Sequence, residues 1–195
     1  MKKFLPLIVI GILAIGIYSW AKGFNNTAVE HQADAKTAWS KVESAYQRRA
    51  DLIPNLVSTV KGYAAHEKET LEGVIKARSE ATKTTINAGD LTPEKMAQFQ
   101  QAQQGLSGAL SKLLVTVERY PELKADKSFQ ELASQLEGTE NRINVSRDRF
   151  NDAVNIYDKF TTKFPGKLLA SLFGFEEMFR FKSAPGSENA PKVEF

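Results

Sequence analysis

Apolar residues fill the start of the chain and then thin into a stripe. From Phe4 to Trp20 the 17 residues carry no charge. As a helix they would span about 26 Å, a little less than a bilayer's hydrocarbon core. Phe4, Ile8 and Ile12 recur along one side of this run. Tyr18 and Trp20 close it, where aromatic rings favour the headgroup boundary. Pro6 falls in the first turn, where a missing N–H costs little. A cleaved signal peptide and a retained anchor both fit, because "SWA" before Lys22 is an acceptable cleavage site. The length of the run favours the anchor, and a core helix rarely opens a chain with such a run and no polar face.

Beyond residue 22 the pattern switches to threes and fours. A first long helix is expected from near Asn26 or Thr27, both good N-cap types, to about Thr85. Its seam is Trp39, Val42, Tyr46, Ile53, Leu56, Val60 and Tyr63, continued by Leu71, Val74 and Ile75. "INAGDLTPE" punctuates the chain, with Thr92 as a cap and Pro93 in the first helical position. The second stripe runs from Met96 to Tyr120, with Gln103 in one apolar slot. Pro121 then disfavours helix at Tyr120. The third segment starts near Asp126 or Lys127 and runs from Phe129 to Phe164, with Thr139 and Ser146 as polar members of its stripe. "LLASLFGFEEM" reads as a last short helix that packs on the bundle or touches the membrane.

Segments this long must bury their stripes on one another, and short turns between them favour antiparallel neighbours. The expected fold is all-α. A single transmembrane helix occupies 1–22, a long antiparallel up-and-down bundle of four-helix type occupies 23–182, and an extended tail occupies 183–195. The near-3.5 repeat predicts left-handed packing.

Charge narrows the functions. Net charge is +3, and acidic and basic residues are interspersed, so there is no basic stripe for nucleic acid. Without cysteine there is neither a thiolate metal site nor a Cys nucleophile. His66 in "AAHEKE" lacks the second histidine of a zinc helix, because Thr70 stands in its place. No Glu-x-x-His pair, phosphate loop or serine elbow occurs. No catalytic residue, metal or cofactor is expected.

Charge on the apolar seam is the remaining anomaly. Four residues before Ile53 lies Arg49, and four after Tyr63 lies Glu67. Glu140 and Arg147 share a face with Ile143 and Phe150. Buried charge is costly unless paired, so these side chains either reach past the core rim or form a network. The network reading joins the Arg48, Arg49 and Asp51 turn to Glu118, Glu140 or Arg147, fixing helix register or an oligomer interface. Pro54 lies in the same stretch, "YQRRADLIPNLV". The apolar phase crosses it unbroken, which favours one continuous, kinked helix over a restart capped by Asp51. Either way, carbonyls near Arg49 and Ala50 lose their donors, and the arginines are placed to satisfy them or to reach a neighbouring helix.

"QRRADLIPNLV", "YPELKA", the spacing E-x-x-I-x-x-x-R-x-x-F-N, "FPGKLLASLFGF" and the closing "PKVEF" together resemble the LemA family over nearly the whole chain. Two positions depart from the pattern: Phe150 stands where tyrosine is common, and Asp158 where asparagine is. The resemblance implies a membrane-anchored four-helix antiparallel bundle with no known enzymatic activity. The expected function is a non-enzymatic scaffold or self-assembling envelope component, a homo-oligomer in contact with the lipid bilayer. The alternative is an adaptor for a membrane protease or signalling protein, recognised through the bundle surface or the tail. Lys2 and Lys3 favour a cytoplasmic N-terminus and an extracytoplasmic bundle in a single-pass arrangement.

Overall fold

A computed structural model describes residues 4–84, 86, 88 and 91–181. All regular structure among them is helical: α1 Leu5–Tyr63, α2 Lys68–Lys83, α3 Pro93–Val117, α4 Pro121–Ala125, α5 Lys127–Thr162 and α6 Gly166–Phe173. The tail expected over 183–195 lies outside the described residues, as do Asn87, Gly89 and Asp90 of the punctuating loop.

Two sequence expectations are corrected by α1. It is one helix of 59 residues, so Asn26 and Thr27 lie inside it and cap nothing. Gly23, Asn25, Asn26 and Thr27 are weak helix formers, but Phe24 and Ala28 are buried beside them. Tertiary packing therefore carries the helix through. The helix also ends at Tyr63, well short of Thr85. Ala64 donates to the Val60 carbonyl (2.8 Å), and Glu67 donates to Ala64 (3.0 Å), closing a turn before α2. Ala64 is wholly buried at that corner. The stripe resumes on Leu71 and Val74 with its period intact, so the pattern did not register the break. Tyr63 and Ile75, both placed on the seam by spacing, are 45% and 53% exposed.

The other boundaries follow local chemistry. The Thr92 hydroxyl accepts from Lys95 N–H (3.4 Å), with Pro93 behind it. Tyr120 leaves the helical region at φ −123°, ψ 83°, as the residue before Pro121. The Asp126 carboxylate accepts from Phe129 N–H (2.9 Å) and starts α5. Gly174 ends α6 at φ 75°, a conformation that favours glycine.

α5 lies along α1. Phe24 stacks on Phe160 (4.8 Å between ring centres), Trp39 meets Phe150 (5.3 Å), Arg49 meets Glu140 (2.9 Å) and Tyr63 meets Asp126 (2.9 Å). Partner numbers fall along α5 as they rise along α1. α2 packs on α3 and on the second half of α1. Between them lie two large buried clusters, one around Trp39, Phe99 and Phe150 and one around Ile53, Leu106 and Leu113. Trp39 is fully buried and donates its indole N–H to the Ile86 carbonyl (3.0 Å). Leu7 to Trp20 contrast sharply, because every side chain there is exposed.

Candidate functional site

Arg49 is 3% exposed in the middle of the helical body. Its Nη2 donates to the Gln103 side-chain oxygen (2.6 Å) and its Nη1 to Ser107 Oγ (3.0 Å) and Glu140 Oε2 (2.9 Å). Gln103 in turn donates its amide to the Ala81 carbonyl (3.3 Å). One guanidinium thus ties α1 to α3 and α5, and Gln103 extends the tie to α2. The charge is compensated by a carboxylate that is itself half exposed, which limits the cost of desolvating the pair. The planar fork also stacks over the Tyr46 ring, 5.1 Å from its centre. Burial pushes the Tyr46 phenol above its ordinary pKa, against the lowering influence of the Arg147 and Arg49 charges.

Pro54 lies inside α1, which continues past it. Its missing N–H frees the carbonyl of Ala50, a buried residue. Arg78 on α2 supplies the donor, Nε to oxygen at 2.7 Å. The sequence reading gave the arginines beside the proline either this task or a reach to a neighbouring helix, and Arg49 does the second. It missed Arg78 because it did not see α2 as a separate helix folded back on α1.

The remaining network residues divide by position. Arg48 and Asp51 face solvent, and Asp51 accepts from Gln47 (2.7 Å). Glu67 lies at the α1–α2 turn, where it accepts from Arg119 (2.8 Å) and the Tyr120 hydroxyl (2.8 Å). Glu118 is exposed and pairs with Lys124. These two are remote from Arg49 because helical spacing specifies a face and not an axial level. Arg147 places its guanidinium over the Phe181 ring, 4.5 Å from the centre. A groove of about 1090 Å³ runs beside the cluster, with Lys41, Arg48, Arg142 and Arg149 among its walls. His66 is exposed in the α1–α2 turn, and no group of three or more metal-capable side chains occurs among the described residues.

A second polar set went unread. The extended segment after α6 returns along α5 and is clamped there by side chains. Asn151 bonds both the N–H (2.8 Å) and the carbonyl (3.0 Å) of Phe181. Tyr157 donates to the Glu176 carbonyl (2.9 Å). Buried Asp158 accepts from Met178 N–H (3.1 Å) and Arg180 Nη2 (2.7 Å). A carboxylate at this position can balance the Arg180 cation, which an amide could not. Phe150 fills the aromatic cluster with Trp39 and Phe181. The available signal was the asparagine that closes the E-x-x-I-x-x-x-R-x-x-F-N spacing, a polar residue beside a buried phenylalanine.

These features define an all-helical protein whose first helix is long and apolar enough to cross a membrane and whose body is cross-tied by buried side-chain bonds. The chain belongs to the LemA family, whose sequence profile matches residues 38–195. It is similar to the magnetosome protein MamQ of Magnetospirillum gryphiswaldense, 27% identical over 184 aligned residues that cover 84% of this chain and 66% of that protein. Magnetosome protein MamQ 2 of Paramagnetospirillum magneticum matches to the same extent. Protein LemA of Metamycoplasma hominis is 25% identical over 169 residues, covering 86% of this chain and 70% of the relative. The chain therefore spans slightly less than two thirds of the magnetosome relatives' length.

Proposed function

We propose that the chain is a non-enzymatic, single-pass membrane scaffold that assembles with copies of itself in the cell envelope. On this reading α1, α2, α3 and α5 form an antiparallel, up-and-down bundle of four-helix type, and the bundle lies on the extracytoplasmic side. The observation that carries it is α1. Its first part exposes every side chain from Leu7 to Trp20, and the same helix continues unbroken into the buried seam. That combination suits a lipid-facing stem that carries a rigid body. The polar cluster around Arg49 supports the non-catalytic reading, since its hydrogen bonds are spent on holding helices together. The names of the magnetosome and LemA relatives are not enzyme names.

Size measurement of the full chain in mild detergent is the test of assembly. An oligomer at micromolar concentration is expected, and a strict monomer would sink the scaffold reading. Protease added to intact and then to opened cells tests the side. The bundle should be cleaved in intact cells once any outer barrier is permeabilised.

A further inference from the structure

The end of the body nearest the apolar run carries a second surface of unusual composition. Leu168 and Leu172 are spaced by four on a side of α6 turned away from the protein and are 65% and 76% exposed, and Phe164, in the turn before α6, is 84% exposed. The opposite side is anchored: Leu169 and Ala170 are buried with Phe24 and Ala28, and Phe160 packs beside them. Gly166 lies so close to α1 that an added Cβ would meet the Phe24 ring at 2.8 Å and the Phe160 carbonyl at 3.0 Å. α6 is therefore fixed at one level of α1. Phe24 is four residues past Trp20, about 6 Å further along the axis. The headgroup layer is about 5–8 Å deep on each side of the hydrocarbon core. On the anchored reading given above, α6 lies at the headgroup level.

Basic residues predominate at this level, where the exposed carboxylates are Glu176 and Glu177, directly after Phe175. Lys22, Lys159, Lys163 and Lys167 are exposed, and none forms an ion pair among the described residues. α1 has no carboxylate from Lys22 until Glu30. From Lys159 to Phe175 there is none either, and Asp158 is taken by Arg180. A cleft of about 470 Å³ opens between Trp20, Phe24, Lys159 and Lys163. Apolar side chains flanked by unpaired lysines at headgroup depth match an anionic bilayer surface.

We propose that α6 and the Phe164 turn form a second membrane contact: Phe164, Leu168 and Leu172 enter the boundary between headgroups and acyl chains, and Lys159, Lys163 and Lys167 bind the phosphates of anionic lipids. The occupant is the bilayer that α1 crosses, because the exposed apolar residues of α6 continue the apolar surface that ends at Trp20. The contact gives the body two attachment points and fixes its rotation about α1.

The chain has no cysteine, so single-cysteine labelling is clean. The full chain with Leu168→Cys or Leu172→Cys carries a fluorophore in vesicles of phosphatidylcholine, with or without phosphatidylglycerol. Ile12→Cys reports the span, and Ile75→Cys reports the distal body. Quenching by lipid-borne nitroxide is compared with quenching by iodide in the water. Leu168→Cys and Leu172→Cys should respond to the nitroxide and resist iodide, like Ile12→Cys and opposite to Ile75→Cys. Phosphatidylglycerol should raise the docked-to-free ratio, and each of Lys159→Gln, Lys163→Gln and Lys167→Gln should remove about fivefold of that gain. Iodide access at Leu168→Cys with a lipid-quenched Ile12→Cys would overturn this contact and leave the anchor standing. Iodide access at both would overturn the anchor as well. Shielding from both quenchers that grows with protein density would assign the face to a second copy and overturn the lipid contact. A phosphatidylglycerol gain unchanged in the triple glutamine variant would overturn the phosphate contacts.

Discussion

Changing Glu140 to lysine would replace an attraction with a repulsion at the exposed end of the Arg49 cluster. The pair is separated by 2.9 Å, with Arg49 buried and the Glu140 side chain 50% exposed. At about 4 Å between charge centres the attraction is about 1 kcal/mol in water and about 4 kcal/mol at an effective dielectric of about 20. Solvent at Glu140 pulls the value to the low end, so Glu140→Gln should cost about 1–2 kcal/mol. Lysine adds a like charge that can bend into water, bringing Glu140→Lys to about 2–3 kcal/mol. For a chain of this length each kcal/mol moves the melting temperature by about 2–4 °C. The expected fall is therefore about 2–8 °C for glutamine and about 4–12 °C for lysine. The assay is thermal and urea unfolding of the full chain in mild detergent, followed by circular dichroism. A second measurement isolates the pair: with Arg49→Met the buried cation is gone, so Glu140→Gln should become nearly neutral, giving a coupling of about 1–2 kcal/mol. Equal costs for Glu140→Gln with and without Arg49, or a lysine variant that melts with the parent, would refute the argument.

Two further outcomes follow from the bonds described. Arg78→Met should cost about 1–3 kcal/mol by leaving the Ala50 carbonyl without a donor, and much less in a Pro54→Ala background, where residue 54 regains its N–H; additive unfolding energies would show that Arg78 does not serve this carbonyl. The Asp126 carboxyl is held below its ordinary pKa, first by the Phe129 N–H and then by the Tyr63 hydroxyl. Its stabilising contribution is therefore complete above about pH 4 and is lost as pH falls through the lower folded value. Asp126→Asn keeps a capping oxygen but does not titrate, so the parent should lose stability relative to the variant below about pH 4; parallel curves of unfolding energy against pH would overturn this.

Helix type, period and the boundaries at Thr92, Tyr120 and Asp126 were legible because each was written in local chemistry. Thr92 with Pro93, Tyr120 with Pro121 and Asp126 all sit where side chain or ring geometry dictates a start or a stop. The Ala64–Glu67 turn was not legible. "YAAHEKE" contains neither proline nor glycine, and the apolar period survives the reversal. That omission had a cost elsewhere: with α2 read as a continuation of α1, Arg78 could not be seen reaching back to Ala50. Arg49 and Glu140 stood out because charge on an apolar period is an anomaly in a single sequence. Their partners depend on axial level, which is why Glu67 and Glu118 were grouped with them and belong instead to the far end of the body. The clamp of Asn151, Tyr157 and Asp158 was illegible for a different reason. It holds an irregular segment, 174–181, through that segment's backbone, and backbone acceptors leave no pattern of residue types.

The continuity of α1 has a mechanical consequence. From Ala21 to Tyr63 the helix extends 43 residues past the apolar run with no loop between them. That is a lever arm of about 65 Å. A membrane-spanning helix adjusts its tilt when the local bilayer thickens or thins. Without a hinge at the surface, a change in tilt of about 10° would carry the Tyr63 end sideways by about 11 Å. The α1–α2 corner and the end of α3 would then sweep through a distance comparable to the width of a helix. On the anchored reading, an array of such levers in one membrane would convert a small difference in bilayer thickness into a change of spacing between the outer ends of neighbouring molecules.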